Sequence, residues 1–201
     1  PGFGGAGNTH ASRTGFYELN KVIEMARGQL PANGWLQNRL TSNMNINNTC
    51  NAFWNGSTVN FYLSGGGCGN TGEDAGIALH EWGHGMDAND GNGSSIDNGT
   101  GETYGDFSAA LQTLDSCTGW GFLGGNCGGY GNACTNCDGV RDIDWGRHAA
   151  NAPMTVATFT GPNCPSDGGG GYVGPCGLGQ SPPNDKEGHC ESLVSSGGLF
   201  D

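Results

Sequence analysis

The chain has 201 residues, enough for one sizeable domain or for two lobes around a shared core, and its net charge of −12 with only seven Lys and Arg leaves almost nothing to neutralise phosphates, which excludes a nucleic-acid partner. With 41 glycines, 34% hydrophobic and 13% charged residues the fold should be rich in loops, yet five Trp, eight Phe and five Tyr supply core anchors that exclude a disordered chain. No run of 18 apolar residues occurs, so no membrane span is expected.

The nine cysteines (Cys50, Cys68, Cys117, Cys127, Cys134, Cys137, Cys164, Cys176 and Cys190) are dense for this length and fit an oxidising, extracellular setting. Their odd number leaves one thiol free or paired outside the sequence. The chain starts at Pro1 with no initiator methionine or leader, so a removed pro-segment is expected.

In chain order, residues 9–31 predict a helix, with Thr9 as its cap and Phe16, Leu19, Val22, Ile23, Met25 and Ala26 on a core-facing side. Residues 44–69 are rich in β-branched and aromatic side chains and predict a hairpin, "CNAFW" and "TVNFYLS", turning at "NGS". Cys50 and Cys68 bracket it, which makes them the first expected disulfide. A helix follows over 71–90, where Thr71 and Asp74 resemble a capping box. Gly76, Gly83 and Gly85 each weaken such a helix by about 1 kcal/mol against Ala, so packing must hold it.

Residues 87–101 form a polar loop, and 100–114 predict a second helix capped by Thr100. The stretch 116–140 is irregular, with a short element expected around Val140 to Trp145. Residues 161–188 read as a long loop that Cys164 and Cys176 staple, and 189–200 as the start of a last helix. The organisation is α+β: a strand-rich N-terminal lobe over 1–88 ending in a central helix, then an irregular and helical disulfide-stapled lobe over 89–201, incomplete at its end.

The chemistry centres on "HEWGH". On a helix, His80 and His84 stand about 40° apart around the axis and about 6 Å along it, so both imidazoles can face one ion. Glu81 projects beside them as a general base for a metal-activated water. Three nearby carboxylates compete to complete the site. Asp90 follows His84 by six residues, but the tight turn this requires needs glycine where Asp87 stands. Glu102 is the better candidate, because Glu102 and Asp106 lie four apart on one helical face. Glu102 can then bind zinc while Asp106 accepts the outer N–H of a ligand histidine.

Cys117, Cys127, Cys134 and Cys137 compare with a four-thiolate zinc site, but only the last pair has the C-x-x-C spacing, and disulfides are the expected outcome. The loop after the histidines alternates acidic and amide residues, so a calcium ion held through Asp87, Asp90 or Asp97 is a second cofactor expectation.

At "HEWGH" followed by "ETYGD", the sequence resembles the gluzincin metallopeptidases of the thermolysin and fungalysin type, whose HExxH and ExxxD motifs these segments match. "NAFW" resembles the family's N-A-x-W edge strand. The resemblance implies a two-lobed zincin fold and a secreted zinc endopeptidase acting on protein or peptide substrates. It implies that Asn51 and Ala52 contact the substrate with Trp54 anchoring their strand, that Arg141 binds a substrate carbonyl, and that His189 in "HCES" stabilises the oxyanion. It is strong over residues 50–107, partial over 1–49 and 139–200, and absent from the cysteine loops. The family's oxyanion tyrosine has no match between His84 and Glu102, and the glycine and cysteine content points to a divergent secreted branch.

A competing reading is a non-enzymatic, disulfide-rich extracellular adhesion or carbohydrate-binding module with a structural zinc. Glu81 argues against it, because a structural zinc needs no such base.

Overall fold

The computed structural model describes residues 7–95, 98–122, 139–144 and 188–200. Helix α1 runs over His10–Gln29, and the Thr9 hydroxyl starts it by accepting the Ser12 N–H at 3.1 Å. Ala11, Gly15, Leu19 and Val22 form its buried stripe. Phe16 and Met25, expected on that face, are instead 74% and 48% exposed. The stripe is narrow because a strand lies directly against the helix at Gly15, where a Cβ would stand 1.9 Å from the Met44 Cε.

That strand is β1, Thr41–Ile46; β2, Ala52–Trp54, and β3, Thr58–Tyr62, complete a sheet of order β1-β3-β2. β1 runs parallel to β3, and β2 antiparallel with Ala52 opposite Phe61 and Trp54 opposite Val59. The expected hairpin therefore forms, and it turns as its residues dictate. Asn55 Oδ1 accepts the N–H groups of Ser57 and Thr58, and Gly56 takes a φ of +93° that favours glycine. The expected Cys50–Cys68 disulfide is present. Val59 and Phe61 of β3 are fully buried in the core.

The next segment departs from the expected capping box. Thr71–Glu73 forms a separate 3-10 turn capped by Asn70, and Asp74 begins helix α2, Ala75–Asn89, by accepting the Ile77 N–H at 2.7 Å. α2 is buried along most of its length, with Leu79 and Ala78 inaccessible and Trp82 and Met86 at 5% exposure. Its glycines mark contacts. A Cβ on Gly83 would lie 2.7 Å from the Gly105 Cα, and one on Gly85 would lie 2.9 Å from the Trp35 ring. Packing on several sides thus offsets the weak helix propensity. At the far end the Asn33 side chain donates to the Asn89 carbonyl at 2.7 Å, satisfying one of the last carbonyls.

α3, Asn98–Thr113, begins two residues before the expected cap. Thr100 therefore lies inside the helix, where the Thr103 hydroxyl already donates back to the Gly99 carbonyl. Strands β4, Cys117–Thr118, and β5, Arg141–Asp142, pair antiparallel, realising the short element expected near Val140. α4, Gly188–Phe200, packs on α3 with Leu193 fully buried and the Thr103 hydroxyl 3.3 Å from the Ser192 carbonyl. The architecture is a mixed α+β one, with α2 at its centre. Among the described residues no helix is long and apolar enough to cross a membrane.

Candidate metal centre

Burial of α2 decides how its polar residues can be used. His80 and Glu81 are only 5% and 6% exposed, so each needs compensation. The two imidazoles meet edge to face with ring centroids 4.6 Å apart, and their Nε2 atoms stand 3.0 Å apart. Glu102, near the start of α3, brings one carboxylate oxygen to 3.1 Å from His80 Nε2 and the other to 3.7 Å from His84 Nε2. Among the described residues, His80, His84 and Glu102 form the one group of three whose ligating atoms all lie within 4.8 Å of one another. The group can hold a metal ion.

Asp106 supplies the polarity argument. It is fully buried, and its Oδ1 lies 3.0 Å from His80 Nδ1. An ionised carboxylate only accepts, so this contact places a proton on Nδ1. In the neutral ring the Nε2 lone pair then points toward His84 Nε2 at 3.0 Å and a Glu102 oxygen at 3.1 Å, the space between the three being where a cation could be held. The roles expected of Glu102 and Asp106 from their four-residue spacing both have their geometry.

Close helix crossing makes this possible. A Cβ on Gly105 would lie 2.6 Å from both Cε1 and Nδ1 of His80, so the ring sits where any larger residue would displace it. Sequence reasoning missed Gly105. Its position three residues after Glu102 is a signal only once α3 is known to cross α2 there.

Asp90 is not drawn into the group. α2 continues straight to Asn89, so the turn that would return Asp90 does not form; its Oδ1 accepts the Asn92 N–H, and its Oδ2 lies 3.4 Å from the Tyr104 hydroxyl. Asp87, expected in the loop, belongs to the buried side of α2. Its two oxygens take the N–H and hydroxyl of Ser95 at 2.9 and 2.7 Å, tying the loop back to the helix. Asp97, the third residue of the calcium expectation, lies outside the described residues, as does the Cys164 and Cys176 pair. Cys117 is disulfide-bonded, which removes it from any four-thiolate site.

A cleft of about 250 Å³ opens in front of the group. His80, Glu81, His84 and Glu102 line one side; Asn51, Ala52, Phe53 and Trp54 line it as well, with Ile77, Phe122 and Val140 adding apolar surface. Asn51 and Ala52, expected to contact substrate, line this cleft. The Asn55 N–H bonds to the Thr58 carbonyl, so by antiparallel alternation Phe53 is the next residue bonded to β3, while Ala52 and Trp54 turn their N–H and C=O outward. Among the described residues β2 is therefore an open edge. Trp54 anchors it as expected, meeting Trp35 edge to face at 6.0 Å, with Trp35 in turn against Trp82. Arg141 lies in β5 and His189 in α4, but their side chains are outside what the structure describes.

Asp74, whose side chain caps the helix that carries His80 and His84, is itself a buried acid. Burial raises its pKa from 3.8 to about 6, against the pull of backbone N–H groups from Ile77, Trp120, Gly119 and Gly76. Between those values the folded protein keeps a proton that the unfolded chain has lost. The contribution to stability is fullest below pH 4 and declines as pH rises through about 6, by up to about 3 kcal/mol. Asp74→Asn keeps the capping oxygen, so its unfolding free energy, measured in urea from pH 4 to 7, should fall less with pH than that of the wild type; parallel curves would refute this.

Neither family models nor curated proteins yield a match to the chain. The functional reading therefore rests on the chemistry of the site.

Proposed function

We propose that the chain is a secreted zinc endopeptidase of the gluzincin kind, a two-lobed zincin whose substrate lies between the β2 edge and the residues of α2 and α3. The observation that carries this is the convergence of His80, His84 and Glu102 beside buried Glu81, facing a cleft also lined by an open backbone edge. Two imidazoles and one carboxylate are a donor set typical of catalytic zinc, and ligand atoms of a tetrahedral zinc site stand about 3.3 Å apart. The two Nε2 atoms stand 3.0 Å apart, and the two Glu102 oxygens lie 3.1 Å from one and 3.7 Å from the other, separations of that order.

When bound there, zinc supplies the Lewis acid that activates water and polarises a scissile carbonyl. Glu81 accepts the proton of the attacking water and returns it to the leaving amine. Asp106 holds the His80 ring in the tautomer whose Nε2 lone pair can ligate. Ala52 and Trp54 offer outward backbone groups to an extended peptide, which pairs as an added strand with Asn51 at its end. The resemblance further assigns His189 to the oxyanion and Arg141 to a substrate carbonyl. The disulfides at Cys50–Cys68 and Cys117 support an oxidising, extracellular location.

Metal removal tests this reading. Purified protein should contain one zinc per chain, lose peptide cleavage on chelation and regain it with added zinc, and His84→Ala should neither retain the metal nor cleave. Undiminished cleavage by the chelated protein would overturn the proposal.

A further inference from the structure

The outward groups of β2 can receive a peptide only if the strand is held at the right distance from β3, and the hairpin ladder is not regular at the end nearest the disulfide. Bonded pairs alternate along β2 and β3, from Asn55 and Thr58 through Phe53 and Asn60 to Asn51 and Tyr62. At that last pair a side chain stands in the ladder. The Tyr62 N–H donates to the Thr71 hydroxyl at 2.8 Å, and the hydroxyl lies 3.0 Å from the Asn51 carbonyl. Its single proton has a second acceptor, the Tyr62 carbonyl, at 3.4 Å, so Asn51 is the nearer partner.

We infer that Thr71 is a positioning residue for substrate: its hydroxyl replaces the terminal β2 to β3 backbone hydrogen bond by a two-step relay and so sets Asn51 and Ala52 toward the cleft. Two links in place of one necessarily part the strands at this end. Thr71 is 1% exposed and itself lines the cleft, so no bulk water is at hand to take over the relay. Trp54 fixes the opposite end of the strand against Trp35. β2 is thus set from both ends, by a hydroxyl at Asn51 and by an aromatic contact at Trp54. Neither Thr71 nor Trp35 belongs to the metal-binding group, so strand position and metal binding are separable.

This inference rests on the peptidase reading, and the test separates the two. Steady-state cleavage of a six-residue peptide and of a blocked dipeptide too short to reach Asn51 is measured for the wild type, Thr71→Val and Thr71→Ser at equal zinc content. In Thr71→Val the KM for the long peptide should rise about tenfold with kcat changed less than about twofold. The short substrate should be cleaved as by the wild type, and Thr71→Ser should recover the long-peptide KM. If the valine variant does not fold, Thr71→Ala carries the same expected split between substrates. An unchanged long-peptide KM, or an equal loss on both substrates, would overturn the inference while the wild type's activity upholds the peptidase reading. A zinc-loaded wild type that cleaves neither substrate would sink both.

Discussion

Glu81→Gln is expected to keep one zinc per chain while peptide cleavage falls by about 10²–10⁴-fold, the range over which a positioned general base contributes. Glutamine matches glutamate in shape but cannot take a proton at neutral pH. The substitution therefore isolates the base from the proposed ligands His80, His84 and Glu102, the group that could hold a metal ion. Glu81 lies one residue from His80 in the chain, is nearly inaccessible at 6%, and lines the same cleft. Zinc content by elemental analysis beside initial rates provides the check. Activity equal to the wild type would exclude Glu81 as the base, and loss of the zinc would instead make it part of the metal-holding structure.

The second large effect is expected at Gly105. A methyl group there would overlap the His80 ring at 2.6 Å, and the ring is held at Nδ1 by Asp106, so it cannot swing away without losing that contact. Gly105→Ala should lower zinc affinity by about 10- to 100-fold, the usual loss when a ligand's supporting contact is disturbed. Overpacking should also cost about 1–3 kcal/mol of stability. Gly101, earlier in the same helix, is the control: a Cβ there meets nothing nearer than an Asp87 oxygen at 3.7 Å. Gly101→Ala should bind zinc as the wild type does and be as stable or slightly more so, because alanine favours the helix. Competitive chelator titration and thermal unfolding of the two variants give the comparison. Equal zinc affinity in Gly105→Ala and the wild type would refute the close-packing argument.

Gly105 also shows where reading the sequence stopped. The Thr9 cap, the Asn55 turn and the Cys50–Cys68 bridge depend on interactions across a few residues or one hairpin, and all three were legible. So was the approach of Glu102 and Asp106 to the histidines, because a four-residue spacing on a helix places both carboxylates on one face before any partner is known. What could not be read depended on which face met what. The apolar positions of α1 span a wider arc than the strand beside it covers, so Phe16 and Met25 stayed outside. Thr71 and Asp74 have the spacing of a capping box, yet Asn70 and Asp74 cap two separate turns, since the Thr71 hydroxyl is drawn instead to Tyr62 and Asn51. Helix α3 starts before its expected cap for a similar reason, as local signals near 98–101 offer several equivalent starting points and packing selects one.

The open edge of β2 has a consequence for the protein's life among other chains. An edge that no described residue covers is open to any extended segment nearby, including one from another copy, and under the proposed function the usual protections, a covering loop or a charge pointed inward, would block a substrate as well. Length is the remedy left. β2 has three residues, ended by a turn at Asn55 on one side and on the other by Cys50, whose φ of +61° breaks the extended run. A stray segment can therefore pair over a span too short to seed a growing sheet.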